Sequence, residues 1–224
     1  MIEFVNVSKI YDHNVAALKD INVKIEKGEF VFLVGPSGSG KSTFLKLMIK
    51  EEEPTAGKIF IDNKDITKLK QKEVPYLRRK VGFVFQDFRL LYDRTVEENI
   101  AFALRVIEAS EKEIRTQVKS ALEMVGLTGK ERYYPNQLSG GEQQRIALAR
   151  ALATKPPVII ADEPTGNLDP VTAADIFKTL LDINSRGTTI LVVTHAKDIV
   201  DNMNKRVIAL DHGQVVKDEQ RGGY

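Results

Sequence analysis

Val31-Phe32-Leu33-Val34-Gly35-Pro36-Ser37-Gly38-Ser39-Gly40-Lys41-Ser42-Thr43-Phe44-Leu45 reads as a short strand, a glycine-rich loop and the first turn of an apolar helix. Four apolar residues in succession suit a parallel strand covered on both faces. The loop from Gly35 to Thr43 then satisfies the G-x-x-x-x-G-K-[ST] pattern in the strand-to-helix context that gives the pattern its meaning. Gly35, Gly38 and Gly40 let the backbone amides, including those of Ser37 and Ser39, turn inward around phosphate oxygens. The helix N-terminus adds the positive end of its dipole. Lys41 supplies a point charge for the β- and γ-phosphates of a nucleotide, and the Ser42 hydroxyl is a ligand for Mg²⁺.

Outward from this stretch, Val158-Ile159-Ile160-Ala161 and Ile190-Leu191-Val192-Val193 repeat the buried-strand pattern. Pro156-Pro157 precedes the first and Arg186-Gly187-Thr188 the second, so both starts are punctuated by chain chemistry. All three runs end at polar clusters: Gly35 onward, Asp162-Glu163 and Thr194-His195. Ligands of open parallel sheets bind beyond the carboxyl ends of the strands, so these three segments are expected to meet in one crevice of an α/β fold. The remaining segments suggest lobes of a single domain. Alternation from Phe4 to Ile25 and from Lys58 to Phe85, with turns at Glu26-Lys27-Gly28 and Asp62-Asn63-Lys64, predicts an antiparallel β lobe (about 1–30 and 58–85). Between about 95 and 153 the pattern is helical, with Ile114, Val118, Ala121, Leu122 and Val125 at spacings of three and four. The end, Gln220 to Tyr224, reads as a frayed tail.

Composition narrows the function classes. The 224 residues carry 33 basic against 31 acidic side chains, and a net charge of +2 offers no large basic field for a nucleic-acid backbone. No partner of that kind is expected. Cysteine is absent, which removes disulfides and thiolate metal sites. The first residues, Met1-Ile2-Glu3-Phe4-Val5, lack the basic and apolar blocks of a signal peptide, so a cytoplasmic setting is expected. No apolar run approaches the ~20 residues that span a bilayer, and any membrane association would come through a partner.

A phosphate loop by itself fits many phosphoryl-transfer enzymes, and two further features add chemistry. Asp162, ending a buried strand, can hold Mg²⁺ through water, and Glu163 beside it can accept a proton from a water attacking the γ-phosphorus. Leu138-Ser139-Gly140-Gly141-Glu142-Gln143 precedes an apolar helical run, and Ser139 with Glu142 has capping-box spacing. Two glycines weaken a first helical turn but allow close backbone approach to a ligand. The chain thus carries a second candidate anion-binding helix tip.

The phosphate loop, the Ser139-Gly140-Gly141-Glu142-Gln143 tip, Asp162-Glu163 and a later His195, in this order across nearly the whole chain, resemble the ATP-binding cassette (ABC) family. The resemblance implies a P-loop NTPase core of RecA-like type with an N-terminal antiparallel β subdomain and an inserted helical subdomain. It implies ATP hydrolysis with Mg²⁺ by a head-to-tail homodimer, in which the Ser139 tip of one chain closes over ATP held by the other. Residue by residue, Tyr11 is similar to the family's adenine-stacking aromatic. Gln86 is similar to the glutamine that reaches Mg²⁺ and the attacking water, and His195 to the histidine that contacts the γ-phosphate. Asn167-Leu168-Asp169 resembles the loop through which subunits sense each other's site, with Gly166-Asn167 in place of the family's common Ser-Ala. The segment from Phe85 to Val96 is similar to the cell-division branch of the family, whose relatives include lipoprotein-release and macrolide-export ATPases. That branch implies an integral membrane partner, a position on the cytoplasmic face of the membrane, and a groove built from Phe88, Leu90, Leu91 and Tyr92.

Overall fold

The computed structural model describes residues 1–223, apart from the side chain of His13. The strand that opens the phosphate loop, β3 (Phe30–Val34), is buried at every position, and its alternation divides the molecule in two. Phe30, Phe32 and Val34 face one hydrophobic core, while Val31 and Leu33 face the other. β7 (Val158–Asp162) and β8 (Thr189–Val193) alternate in the same way, which is what a parallel sheet covered on both faces requires. β9 (Arg206–Asp211) pairs parallel with β3 on one side and β8 pairs with it on the other. With β6 (Val81–Val84) at one edge and the antiparallel β10 (Gln214–Glu219) at the opposite edge, the sheet order is β10-β9-β3-β8-β7-β6.

The second sheet has the order β2-β1-β4-β5, formed by β1 (Ile2–Tyr11), β2 (Val15–Ile25), β4 (Ala56–Ile61) and β5 (Lys64–Asp65). It shares one core with α1 (Lys41–Met48), where Phe4 and Phe44 stack with ring centroids 4.1 Å apart. The stretch 58–85, expected to lie wholly in this antiparallel sheet, divides instead. After the short α2 (Val74–Arg78) the chain crosses over, and Val81 to Val84 pairs parallel with Val158 to Ala161.

The opposite core is covered by α3 (Val96–Val106), α4 (Glu111–Met124), α5 (Gly140–Ala153) and α6 (Pro170–Ser185). α3, α4 and α5 all begin with capping boxes, Thr95 with Glu98, Ser110 with Glu113 and Ser139 with Glu142, so three helix starts are fixed by local chemistry. α7 (Lys197–Met203) follows β8. The expected fray at the end is corrected over its described part. The Gly222 amide donates to the Lys205 carbonyl at 3.2 Å, and Lys217 Nζ donates to the Gly223 carbonyl at 3.0 Å. Tyr224 lies outside the described residues.

Candidate nucleotide site

The carboxyl ends of β3, β7 and β8 converge as expected on one cleft of about 310 Å³. Ser37, Gly38, Gly40, Lys41, Ser42 and Thr43 line one side, and Gln86, Asp162, Glu163 and His195 complete it. Gly40 caps α1 in the left-handed region at φ 107°, and a Cβ there would stand 2.5 Å from the Ala17 carbonyl oxygen. Only glycine lets the loop turn into the helix this close to β2. Gly35 and Ser39 are drawn into the same turn, since the Lys41 ammonium donates to the Gly35 and Pro36 carbonyls, both at 2.8 Å, and reaches Ser39 Oγ at 3.5 Å. Burial lowers the Lys41 pKa, opposed by attraction to Glu163 and Asp162.

The two carboxylates respond to the same dryness with the opposite sign. Burial raises the pKa of Asp162 against the pull of Lys41, Arg89 and His195, and burial raises that of Glu163 against His195. Glu163 also holds a left-handed backbone at φ 46°, a conformation that costs a non-glycine residue on the order of 1–3 kcal/mol. Its amide donates to the Val193 carbonyl at 2.9 Å, and its Oε2 accepts from the His195 amide at 3.3 Å. The strain therefore aims the carboxylate back toward the end of β8, where His195 Nε2 stands 3.3 Å from Glu163 Oε1. Gly166 lies so close to Gln86 that a Cβ there would come within 3.1 Å of Gln86 Nε2. A side chain at Gly166 would thus press on the Gln86 amide.

Tyr11 approaches the loop through its hydroxyl, 3.4 Å from Thr43 Oγ1, and the Lys9 ammonium sits 4.8 Å from the centre of its ring. Ser139, Gly140, Gly141, Glu142 and Asp169 are absent from the lining of this cleft. Ser139 Oγ accepts from the Glu142 amide at 3.3 Å, and Asp169 Oδ1 accepts from the Val171 and Thr172 amides at 3.1 and 3.0 Å, so both residues cap helices within this chain.

The two glycines of the tip separate into different roles. Gly140 is exposed, whereas a Cβ on buried Gly141 would overlap the Thr172 methyl of α6. Close helix packing against α6 accounts for the absence of a side chain at Gly141. Gly141→Ala is expected to cost about 1–3 kcal/mol. That lowers Tm by roughly 2–4 °C per kcal/mol for a chain of this size. Thr172→Ser, which lacks the methyl, should recover most of the loss in the same thermal-unfolding measurement.

A second cavity of about 550 Å³ combines apolar Phe83, Phe85, Leu91, Phe102, Val106 and Ile107 with Arg78, Arg79, Arg89 and Arg150. Of the four groove residues expected from the sequence, only Leu91 lines it. Leu90 is in the core, Phe88 packs against that core, and Tyr92 donates its hydroxyl to Gln143 Oε1 at 3.1 Å. The groove is assembled from segments far apart in the chain, which no local motif reports.

Comparison with known proteins agrees with this geometry. The family model described as ABC transporter matches residues 18–166. The cell division ATP-binding protein FtsE of Bacillus subtilis is 54% identical over 224 residues, covering 100% of this chain and 98% of the relative. FtsE of Escherichia coli K12 is 46% identical over 215 residues, 96% of this chain and 97% of the relative. Among solved structures, the dimeric post-hydrolysis state of the ATP-binding cassette MJ0796 bound to ADP and Pi superimposes with a TM-score of 0.88 at 40% identity, covering 100% of both chains. A family model spanning most of the chain and relatives similar along its full length place the phosphate loop, the paired carboxylates and the capped glycine tip in one lineage: the chain belongs to the ABC transporter family of ATPases.

Proposed function

We propose that this chain is the ATP-hydrolysing half of a homodimer that drives a conformational change in an integral membrane partner of FtsX type during bacterial cell division. The observation that carries the reading is the division of phosphate-binding parts. Lys41, Gln86, Asp162, Glu163 and His195 share one cleft, while the capped Ser139-Gly140 tip is exposed and outside it. A second copy, packed head to tail, supplies the missing tip to each site, and the similar cassette MJ0796 is itself dimeric.

In that arrangement the loop amides and Lys41 hold the β- and γ-phosphates, and Tyr11 offers its ring to the base. Glu163 accepts the proton of the attacking water, His195 and Gln86 orient that water, and Asp169 holds the start of α6 at the dimer-facing loop. Ser42, Gln86 and Asp162 present a hydroxyl, an amide and a carboxylate to the same cleft, the hard oxygen donors that suit Mg²⁺. When bound, the ion offsets phosphate charge. Hydrolysis removes the γ-phosphate that bridges the two chains, and the dimer can reopen.

Among the described residues no helix is long and apolar enough to cross a membrane. The groove supports attachment to a membrane partner at its cytoplasmic face: apolar side chains and four arginines, with no carboxylate in the lining, fit an amphipathic helix bearing acidic groups. Phe102 and Val106 are exposed there, at 51% and 49%. Phe102→Asp with Val106→Asp is expected to reduce co-purification of the membrane partner by about tenfold or more, since each 1.4 kcal/mol is tenfold and an unpaired carboxylate in an apolar contact costs at least that. Affinity for ATP should stay within about twofold. Undiminished recovery would remove the groove from the proposal, and recovery of a substrate-transport permease would replace cell division by transport.

A further inference from the structure

Phe88 and Arg89 hold consecutive left-handed backbone conformations, with φ of 59° and 47°. Non-glycine residues enter that region singly and at a cost, so a pair persists only where the surroundings over-determine it. The local turn supplies part of the restraint: the Phe88 amide donates to the Phe85 carbonyl at 3.3 Å and the Arg89 amide to the Asp87 carbonyl at 2.6 Å. The rest comes from α5. Arg150 donates from Nη1 to the Arg89 carbonyl at 2.6 Å and from Nη2 to the Phe88 carbonyl at 2.9 Å. A planar guanidinium fork matches two neighbouring carbonyls, whereas an ammonium presents a single point of charge.

The downstream end of the same loop is also fixed. Asn99 of α3, fully buried, accepts from the Leu91 amide at 2.8 Å and donates to the Leu91 carbonyl at 2.9 Å. Slack in the loop therefore has one outlet, toward its upstream end. Two residues before Phe88 stands Gln86, which lines the nucleotide cleft.

We infer that Arg150 is a positioning residue for ATP hydrolysis: its fork holds the Phe88 and Arg89 carbonyls, fixes the left-handed pair and so aims Gln86 into the cleft. The inference rests on the role proposed above for Gln86. Removing the fork lets the pair relax to ordinary backbone angles and withdraws Gln86 without touching the residues that bind phosphate. A displacement of about 1 Å at a reacting group can cost up to 10²-fold in rate.

The test is steady-state ATPase kinetics on Arg150→Met, Gln86→Ala and the double variant, each checked by thermal unfolding. Arg150→Met is expected to lower kcat by about 10-fold or more while the KM for ATP stays within about twofold. In the Gln86→Ala background the same change should lower kcat little further, because both act through one group. If the two effects multiply, or if Arg150→Met leaves kcat intact, Arg150 is only a structural strut and the inference fails. If Gln86→Ala alone leaves kcat unchanged, the site reading fails first and takes this inference with it. Should Arg150→Met not fold, Arg150→Lys serves in its place. An intermediate kcat that is non-additive with Gln86→Ala supports the fork, and wild-type kcat overturns it.

Discussion

Glu163→Gln should bind ATP, turn over at least about 10²-fold more slowly, and accumulate as an ATP-bound dimer. The loss is that of a general base, which contributes typically ~10²–10⁴ to a rate. The gain in dimer has a separate cause. Gln keeps the shape of the side chain but removes a negative charge from a dry cleft that must accept a triphosphate, so the closed state loses a repulsion as well as its exit. Size-exclusion chromatography with Mg-ATP reads the outcome directly, and a variant that stays monomeric would refute the shared site. The pH dependence carries its own sign. Burial holds the Glu163 pKa above its ordinary 4.5, so the wild-type rate should fall with falling pH through that raised value, and the variant's residual rate should lack this limb. The folded state also binds the Glu163 proton more tightly than the unfolded chain. Stability is therefore lost as pH rises through the folded pKa, and the nucleotide-free Gln variant should melt higher than wild type at neutral pH.

Lys41→Ala has the largest expected effect on binding. Lys41 is buried at 8% exposure and its ammonium already bonds to the Gly35 and Pro36 carbonyls, so meeting phosphate oxygens costs it little further hydration and replaces neutral acceptors with anionic ones. Its loss also removes one of the cationic neighbours of Asp162 and Glu163, which then face the anion with less charge opposing them. ATP affinity should fall by about 10²-fold or more in a fluorescent-nucleotide titration. The thermal stabilisation by ATP, about 2.7 kcal/mol at a hundredfold excess over Kd, should vanish at the same concentration. Tight binding by the variant would mean that the loop from Gly35 to Thr43 has been misread.

The parts of this molecule that were legible in the sequence are those whose chemistry is local. Strands β3, β7 and β8 announce themselves as continuous apolar runs because both of their faces are covered, and the helix start at Ser139 is written in a capping box. β6 was less legible. Val81-Gly82-Phe83-Val84 is short and interrupted by glycine, and it follows strands that belong to the other sheet, so only the crossover through α2 reveals its partner. The nucleotide site was legible because three strand ends carry it. The groove, the Arg150 fork and the packing reason for Gly141 were not, since each joins residues that are distant in sequence and meet only after the helices dock.

The stacked rings of Phe4 and Phe44 set a limit on how far this chain can be trimmed. The outer sheet resembles an appendage, yet Phe4 in its first strand is the wall against which Phe44 of the phosphate-loop helix rests. Deleting the first strand would strip Phe44, buried in the intact chain, of its stacked partner on the element that carries Lys41. A shortened version would therefore fail as a nucleotide binder before it failed as a dimer.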